Sequence, residues 1–148
     1  MTRLKFQIVV MAYLSCAMVW AQEETCTGKT YYSLEEALKE PESVTVLDIA
    51  MQDPKLTEVP AEIGLLVNLE CLDLSFNRIG TLPEEFKNLK NLKVLVLAGN
   101  RYMASFPEVL KELPQLTKVD FTDIPEWSKE KCEMAKEALP NVTVLTDK

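Results

Sequence analysis

The stretch Asn68–Leu89, NLECLDLSFNRIGTLPEEFKNL, decides how the rest of the chain is read. Leu69, Leu72, Leu74, Asn77, Ile79, Leu82 and Leu89 fall on the spacing L-x-x-L-x-L-x-x-N-x-L, followed by an L-P-x-x-φ-x-x-L tail. The period is near 2 across Leu72–Leu74, as in a strand, and turns helix-like after Pro83. A unit that begins as a strand and returns as a helical turn cannot bury its own apolar flank. It needs a similar unit on each side.

The flanking sequence supplies such units. Before it, Val44, Leu47 and Ile49 fill strand positions, with Leu47-Asp48-Ile49 standing 25 residues ahead of Leu72-Asp73-Leu74. Gln52 or Asp53 stands near the asparagine position there. After it, a unit starts at Leu92, 23 residues beyond Leu69, with Leu95, Leu97 and Asn100 in place. Another starts at Leu116 with Val119 and Phe121, and Ile124 takes the asparagine position. Asn141–Leu145 reads as a final edge strand, Val142 lying 26 residues after Leu116. Each strand is followed by proline with an acid soon behind: Pro60-Ala61-Glu62, Pro83-Glu84, Pro107-Glu108 and Pro125-Glu126. Proline suits a first helical turn, where its missing N–H is not needed, and glutamate there meets the positive end of the helix dipole. A short helix or 3₁₀ turn is therefore predicted after each strand. The longest helix is predicted over Ser128–Leu139, where Cys132, Ala135 and Leu139 share a face.

The residues LECLDLSFNRIGTLPEEFKNL and LKVLVLAGNRYMASFPEVLKEL resemble the leucine-rich repeat family in its 23-residue type, with Leu-Pro on the descending side. The resemblance implies an α/β solenoid: a short horseshoe with a concave parallel sheet and short convex helices. It covers residues 42–148 and is strongest over 44–113. It also implies a concave face that binds another protein rather than a catalytic site. About four repeats and a terminal edge strand would occupy 44–148. Ahead of them, 22–43 would form an irregular lead-in over Gln22–Tyr32 and a capping helix over Leu34–Lys39. That helix would start at the capping box Ser33-Leu34-Glu35-Glu36 and stop before Pro41.

Alternation along the strands sorts the remaining residues. If Leu69, Leu72 and Leu74 point inward, Cys71, Asp73 and Ser75 point to the concave face. Stacked repeats then give one column of Val46, Cys71, Val94, Lys118 and Val144, and a second of Asp48, Asp73, Val96, Asp120 and Thr146. A third column is small (Ala50, Ser75, Ala98, Thr122), and Met51, Phe76, Gly99 and Asp123 lie beyond it. The candidate binding residues are Asp48, Met51, Cys71, Asp73, Ser75, Phe76, Val94, Val96, Lys118 and Asp120. Asp48 and Asp73 would be like charges about 4.8 Å apart. They are either solvated face residues or contacts for Lys or Arg on a partner. The column offers few of the six or more oxygens that calcium needs, so no metal is expected. Met51 and Phe76 either anchor an interface or fold over their turns. Asn77 and Asn100 are structural: an inward amide can pair backbone groups where the strand bends away.

Absences narrow the chemistry. The sequence has no histidine, which removes Ser-His-Asp and Cys-His catalysis and the HExxH zinc site. Its four glycines, Gly28, Gly64, Gly80 and Gly99, are too scattered to cradle a phosphate. No enzyme activity and no cofactor are expected. The net charge of −7 disfavours nucleic acid and anionic lipid and favours basic partners.

At the N-terminus, Arg3 and Lys5 precede the uncharged run Phe6–Trp20, which reads as a signal peptide over 1–21 with cleavage after Ala21. An uncleaved anchor is disfavoured by length, and a lipoprotein signal at Cys16 by Tyr13. The product would be secreted or held in the cell envelope, with no other membrane contact. Cys26, Cys71 and Cys132 would remain, an odd number that permits at most one internal disulfide. The plain reading is two small hydrophobes and a surface thiol, though Cys71 or Cys132 could also serve a thiol-dependent chemistry. Asn141-Val142-Thr143 fits the N-glycosylation pattern but is too short to weigh. The function expected is an exported, non-catalytic module that binds a protein or peptide. The alternative is an assembly protein that multimerises through a solenoid end.

Overall fold

A computed structural model describes residues 26–148. The expected signal peptide, its cleavage site and Cys16 lie outside the described residues. Among the described residues, six strands form one parallel sheet in chain order: β1 Thr30–Tyr31, β2 Val46–Asp48, β3 Cys71–Asp73, β4 Val94–Val96, β5 Lys118–Asp120 and β6 Thr143–Leu145. Each strand is three residues or fewer, because the leucine spacing gives each repeat only one inward residue flanked by two outward ones. Leu47, Leu72, Leu95 and Val119 are those inward residues, all essentially inaccessible. Burial of each such side chain contributes roughly 1.5–3 kcal/mol.

Behind the sheet the chain returns through 3₁₀ turns at Ala61–Leu65, Glu84–Asn88 and Glu108–Glu112. Pro60, Pro83 and Pro107 precede these turns in extended conformation rather than sitting in the first helical turn as expected. Their carbonyls accept the first turn bonds, from Ile63, Phe86 and Leu110. Adjacent turns pack closely. A Cβ on Gly64 would lie 2.8 Å from the Glu85 carbonyl, so glycine is needed there for the first two turns to approach. At Pro125 the chain makes only a single turn, Trp127 N–H donating to Ile124 C=O at 3.1 Å, and the next helix begins at Lys129.

Two asparagine ladders clip the repeats together. Asn77 Nδ2 donates to the Ile49 carbonyl of the preceding repeat (2.9 Å) and to its own Leu74 carbonyl (3.1 Å). Its Oδ1 accepts from Gln52 and Leu56 N–H. Asn100 repeats this one repeat on, donating to the Leu74 and Leu97 carbonyls and accepting from Ile79 N–H. On the opposite edge, Asn68 donates to Glu42 C=O and Asn91 to Val67 C=O. Ile124 ends the first ladder and is buried as an apolar residue instead.

Both ends depart from expectation. The lead-in is not irregular throughout: Thr30–Tyr31 pairs with Val46–Leu47, and Tyr31 enters the core, so the sheet begins before residue 44. The capping helix α1 is shorter, Leu34–Ala37, with Ser33 capping Glu36 N–H and a 3₁₀ turn at Pro41–Ser43 after it. At the other end, α2 spans Lys129–Ala138 and buries Cys132, Ala135 and the following Leu139. The free cysteine Cys132 is therefore a core residue and not a surface thiol. Trp127 stacks on Phe121 and donates its indole N–H to Met103 C=O at 2.8 Å, closing the core beneath α2.

The last strand is shifted by one residue from the expected alignment. Thr143 pairs with Lys118 and Leu145 with Asp120, where Val144 and Thr146 were expected. Val144 instead opposes Val119 and packs on the core. Apolar residues at 142, 144 and 145 permit either register, and burial of Val144 against Val119 selects the one adopted.

Candidate functional site

Strand pairing builds the concave face. Val46, Cys71, Val94, Lys118 and Thr143 are register partners in one column; Asp48, Asp73, Val96, Asp120 and Leu145 form the next. The side chains of the two columns differ in what is left free.

Cys71 is not an open contact residue. It is buried and disulfide-bonded to Cys26. The lead-in therefore lies over the first two repeats: Thr27 C=O accepts from the Thr45 hydroxyl, Gly28 sits against Thr45, and Thr30 pairs with Val46. Under this segment Val46 is buried as well. Val94 and Lys118, further along the same column, are half-buried and open. The sequence offered only an odd cysteine count for this arrangement, since the bonded pair is 45 residues apart.

The three aspartates have turn partners. Asp48 Oδ1 accepts Ala50 N–H at 3.1 Å, Asp73 Oδ1 accepts Ser75 N–H at 2.8 Å, and Asp120 Oδ1 accepts both the N–H and the hydroxyl of Thr122. An Asp side chain that bonds the backbone two residues on makes an Asx-type turn. One carboxylate oxygen of each is thus committed to the fold and the other remains available. The signal was visible in Asp-x-Ala, Asp-x-Ser and Asp-x-Thr.

The following residues take the left-handed conformation in all four repeats: φ is 52° at Met51, 55° at Phe76, 70° at Gly99 and 55° at Asp123. Positive φ is uncommon away from glycine, and the aligned Gly99 was the only residue that marked it. The ring of Phe76 lies over Gly99, where an added Cβ would come within 2.5 Å of it. Phe76 thus folds over the neighbouring turn yet stays 46% exposed, and Met51 is 65% exposed. Ser75 is buried and offers no open contact.

The accessible candidates that remain together are Val94 and Val96 on β4, with Asp73 on one side and Lys118 and Asp120 on the other. Asp48 extends the acidic row, and Met51 and Phe76 border it at the turn edge. Among the described residues, no three acids or cysteines are grouped to hold a metal ion. A hollow of about 560 Å³ lies away from this face, between Leu82, Phe106 and Val109 on the descending side.

Residues 67–129 match the family model described as leucine-rich repeats, two copies. The chain is similar to Receptor like protein 22 of Arabidopsis thaliana, 39% identical over 82 residues, 55% of this chain and 11% of that protein. It is also similar to Receptor-like protein EIX1 of Solanum lycopersicum, 32% identical over 99 residues, 66% of this chain and 9% of that one. The chain thus spans about a tenth of the length of these relatives. Among solved structures, a leucine-rich repeat protein of Leptospira interrogans superposes with a TM-score of 0.50 at 24% identity, over 80% of this chain and 35% of that one.

Proposed function

We propose, for a chain that belongs to the leucine-rich repeat family, that it is an exported, non-catalytic module whose concave face binds a protein or peptide. The observation that carries this reading is the strip on β4 and its neighbours. Val94 and Val96 form an open apolar centre between Asp73 and Asp120, with Asp48 beyond. An apolar centre with a polar rim is the usual build of a protein interface. The acidic rim favours a segment carrying Lys or Arg, which would bond the uncommitted carboxylate oxygens. A negatively charged chain is a poor match for nucleic acid.

The Cys26–Cys71 disulfide supports export, because such bonds persist in oxidising compartments. The absence of histidine from the sequence, the bonding of Cys71 and the burial of Cys132 support a non-catalytic role.

The test is affinity capture from the exported compartment with the wild-type chain, followed by titration of the captured partner against variants. Asp73→Asn with Asp120→Asn keeps the turn acceptors and removes the charge. Binding should weaken by about five- to thirtyfold, as expected when two exposed charged contacts of about 0.5–1 kcal/mol each are lost. Val96→Lys should abolish it. Unchanged affinity in both variants would remove the concave face from consideration.

A further inference from the structure

We infer that the lead-in segment Cys26–Lys29 is a redox-sensitive latch that closes the N-terminal part of the concave face. It is independent of what the open part of that face binds. The segment runs from the start of β3, where Cys26 is bonded to Cys71, past Thr45 at the start of β2, and into β1. Beyond the disulfide, residues 26–29 are held by one long hydrogen bond, Thr45 Oγ1 to Thr27 C=O at 3.4 Å, by the seating of Gly28 against Thr45, and by Lys29 Nζ over the Tyr31 ring at 4.2 Å. Residues 26–29 are exposed. A segment with few buried contacts and solvent-facing backbone opens at low free energy once its covalent tie is gone.

Beneath it, Val46 and Cys71 are buried although they belong to the outward column, whereas Val94 and Lys118 in that column are open. Removal of the cover would make Val46, Cys71 and Val94 a continuous apolar row across three adjacent strands. The latch therefore sets how much apolar face is presented.

The chemistry requires a dithiol reductant. Its thiolate attacks the sulfur of the exposed Cys26, forming a mixed disulfide, and the Cys71 sulfur leaves as a thiolate that takes up a proton. The second thiol of the reductant then displaces Cys26, which is released as a thiol. The reductant leaves as an internal disulfide. Two electrons and two protons pass to the protein, and one S–S bond is exchanged for another. Access favours attack at Cys26, because Cys71 is covered. β1 stays paired with β2 and Tyr31 stays in the core, so opening stops at Lys29.

The experiment compares the full chain with and without dithiothreitol by hydrogen exchange and by native-state alkylation with N-ethylmaleimide. Latch opening predicts that Cys26 and Cys71 are alkylated after reduction while buried Cys132 is not. Amides over 26–29 and at Val46 should exchange about tenfold faster, with those of β4 unchanged. The variant Cys26→Ser should show the same exchange without reductant. Three results would overturn the latch. The disulfide could resist the dithiol in the native chain. Cys71 could stay as protected as Cys132 after reduction. Cys132 could become alkylated together with Cys71, which would mean that the bond holds the whole fold and not a local cover.

Discussion

Substitution of Asn77 by alanine tests the internal ladder directly, and its cost can be worked from the bonds lost. Five backbone groups contact this amide: the carbonyls of Ile49, Leu74 and Ser75 and the N–H groups of Gln52 and Leu56. Two of these keep another partner after the change. Leu74 C=O retains Asn100 Nδ2 at 3.0 Å, and Ser75 C=O retains Met51 N–H. Ile49 C=O, Gln52 N–H and Leu56 N–H lose theirs. A buried group left unpaired costs about 1–3 kcal/mol. Gln52 and Leu56 are half-buried, so water can reach part of the gap. A loss of about 3–5 kcal/mol follows, a large part of the roughly 5–15 kcal/mol that holds a small domain.

The same accounting ranks two controls. Asn100→Ala strands Ile79 N–H and Leu97 C=O, two groups, and should cost about 2–4 kcal/mol. Asn91→Ala removes one exposed bond to Val67 C=O and should cost less than about 1 kcal/mol. Urea unfolding of the three variants, with equal m-values checked, gives the order Asn77 > Asn100 > Asn91. If Asn77→Ala were no more destabilising than Asn91→Ala, the ladder would not be what ties the repeats together.

Substitutions at Gly64, Gly80, Gly99 and Trp127 probe packing. Gly64→Ala places a Cβ 2.8 Å from Glu85 C=O and should destabilise by about 1–3 kcal/mol, while Gly80→Ala, with its nearest atom at 3.5 Å, should be within about 0.5 kcal/mol of wild type in urea unfolding. Gly99→Ala combines φ +70° with displacement of the Phe76 ring, so in a double-mutant cycle Phe76→Ala should recover part of its cost; strictly additive effects would mean that the ring does not rest there. Trp127→Phe keeps the stack on Phe121 but leaves Met103 C=O without its indole donor, and a loss of about 1–3 kcal/mol should appear in urea unfolding.

The parts of the fold that were legible in the sequence are those encoded by spacing. Leu72, Leu95 and Val119 fall in one buried row because the repeat length returns the chain to the same face, and Asn77 and Asn100 follow from the same period. Where spacing is ambiguous, tertiary packing decided. Apolar residues at 142, 144 and 145 left the register of β6 open by one residue, and Tyr31 drew a segment that looked irregular into the sheet. The Cys26–Cys71 bond was illegible for a different reason. It joins residues 45 apart through an arrangement that no local pattern encodes.

The candidate face was legible as a set of positions but not as a set of free groups, and the difference bears on what can bind. Alternation assigned Cys71, Asp73 and Ser75 outward alike, yet Cys71 is bonded, Ser75 is buried, and Asp73 has one oxygen in its turn. What remains is apolar at Val94 and Val96 and acidic only at the margins. Exposed ion pairs contribute about 0–1 kcal/mol each and weaken in salt, whereas a well-packed apolar anchor can contribute 2 kcal/mol or more, by the usual order of magnitude. A polybasic peptide with no apolar residue would therefore gain encounter rate from Asp48, Asp73 and Asp120 but little residence. A ligand suited to this face places an apolar side chain on the β4 strip and its bases on either side. Its affinity should then survive added salt better than its association rate does.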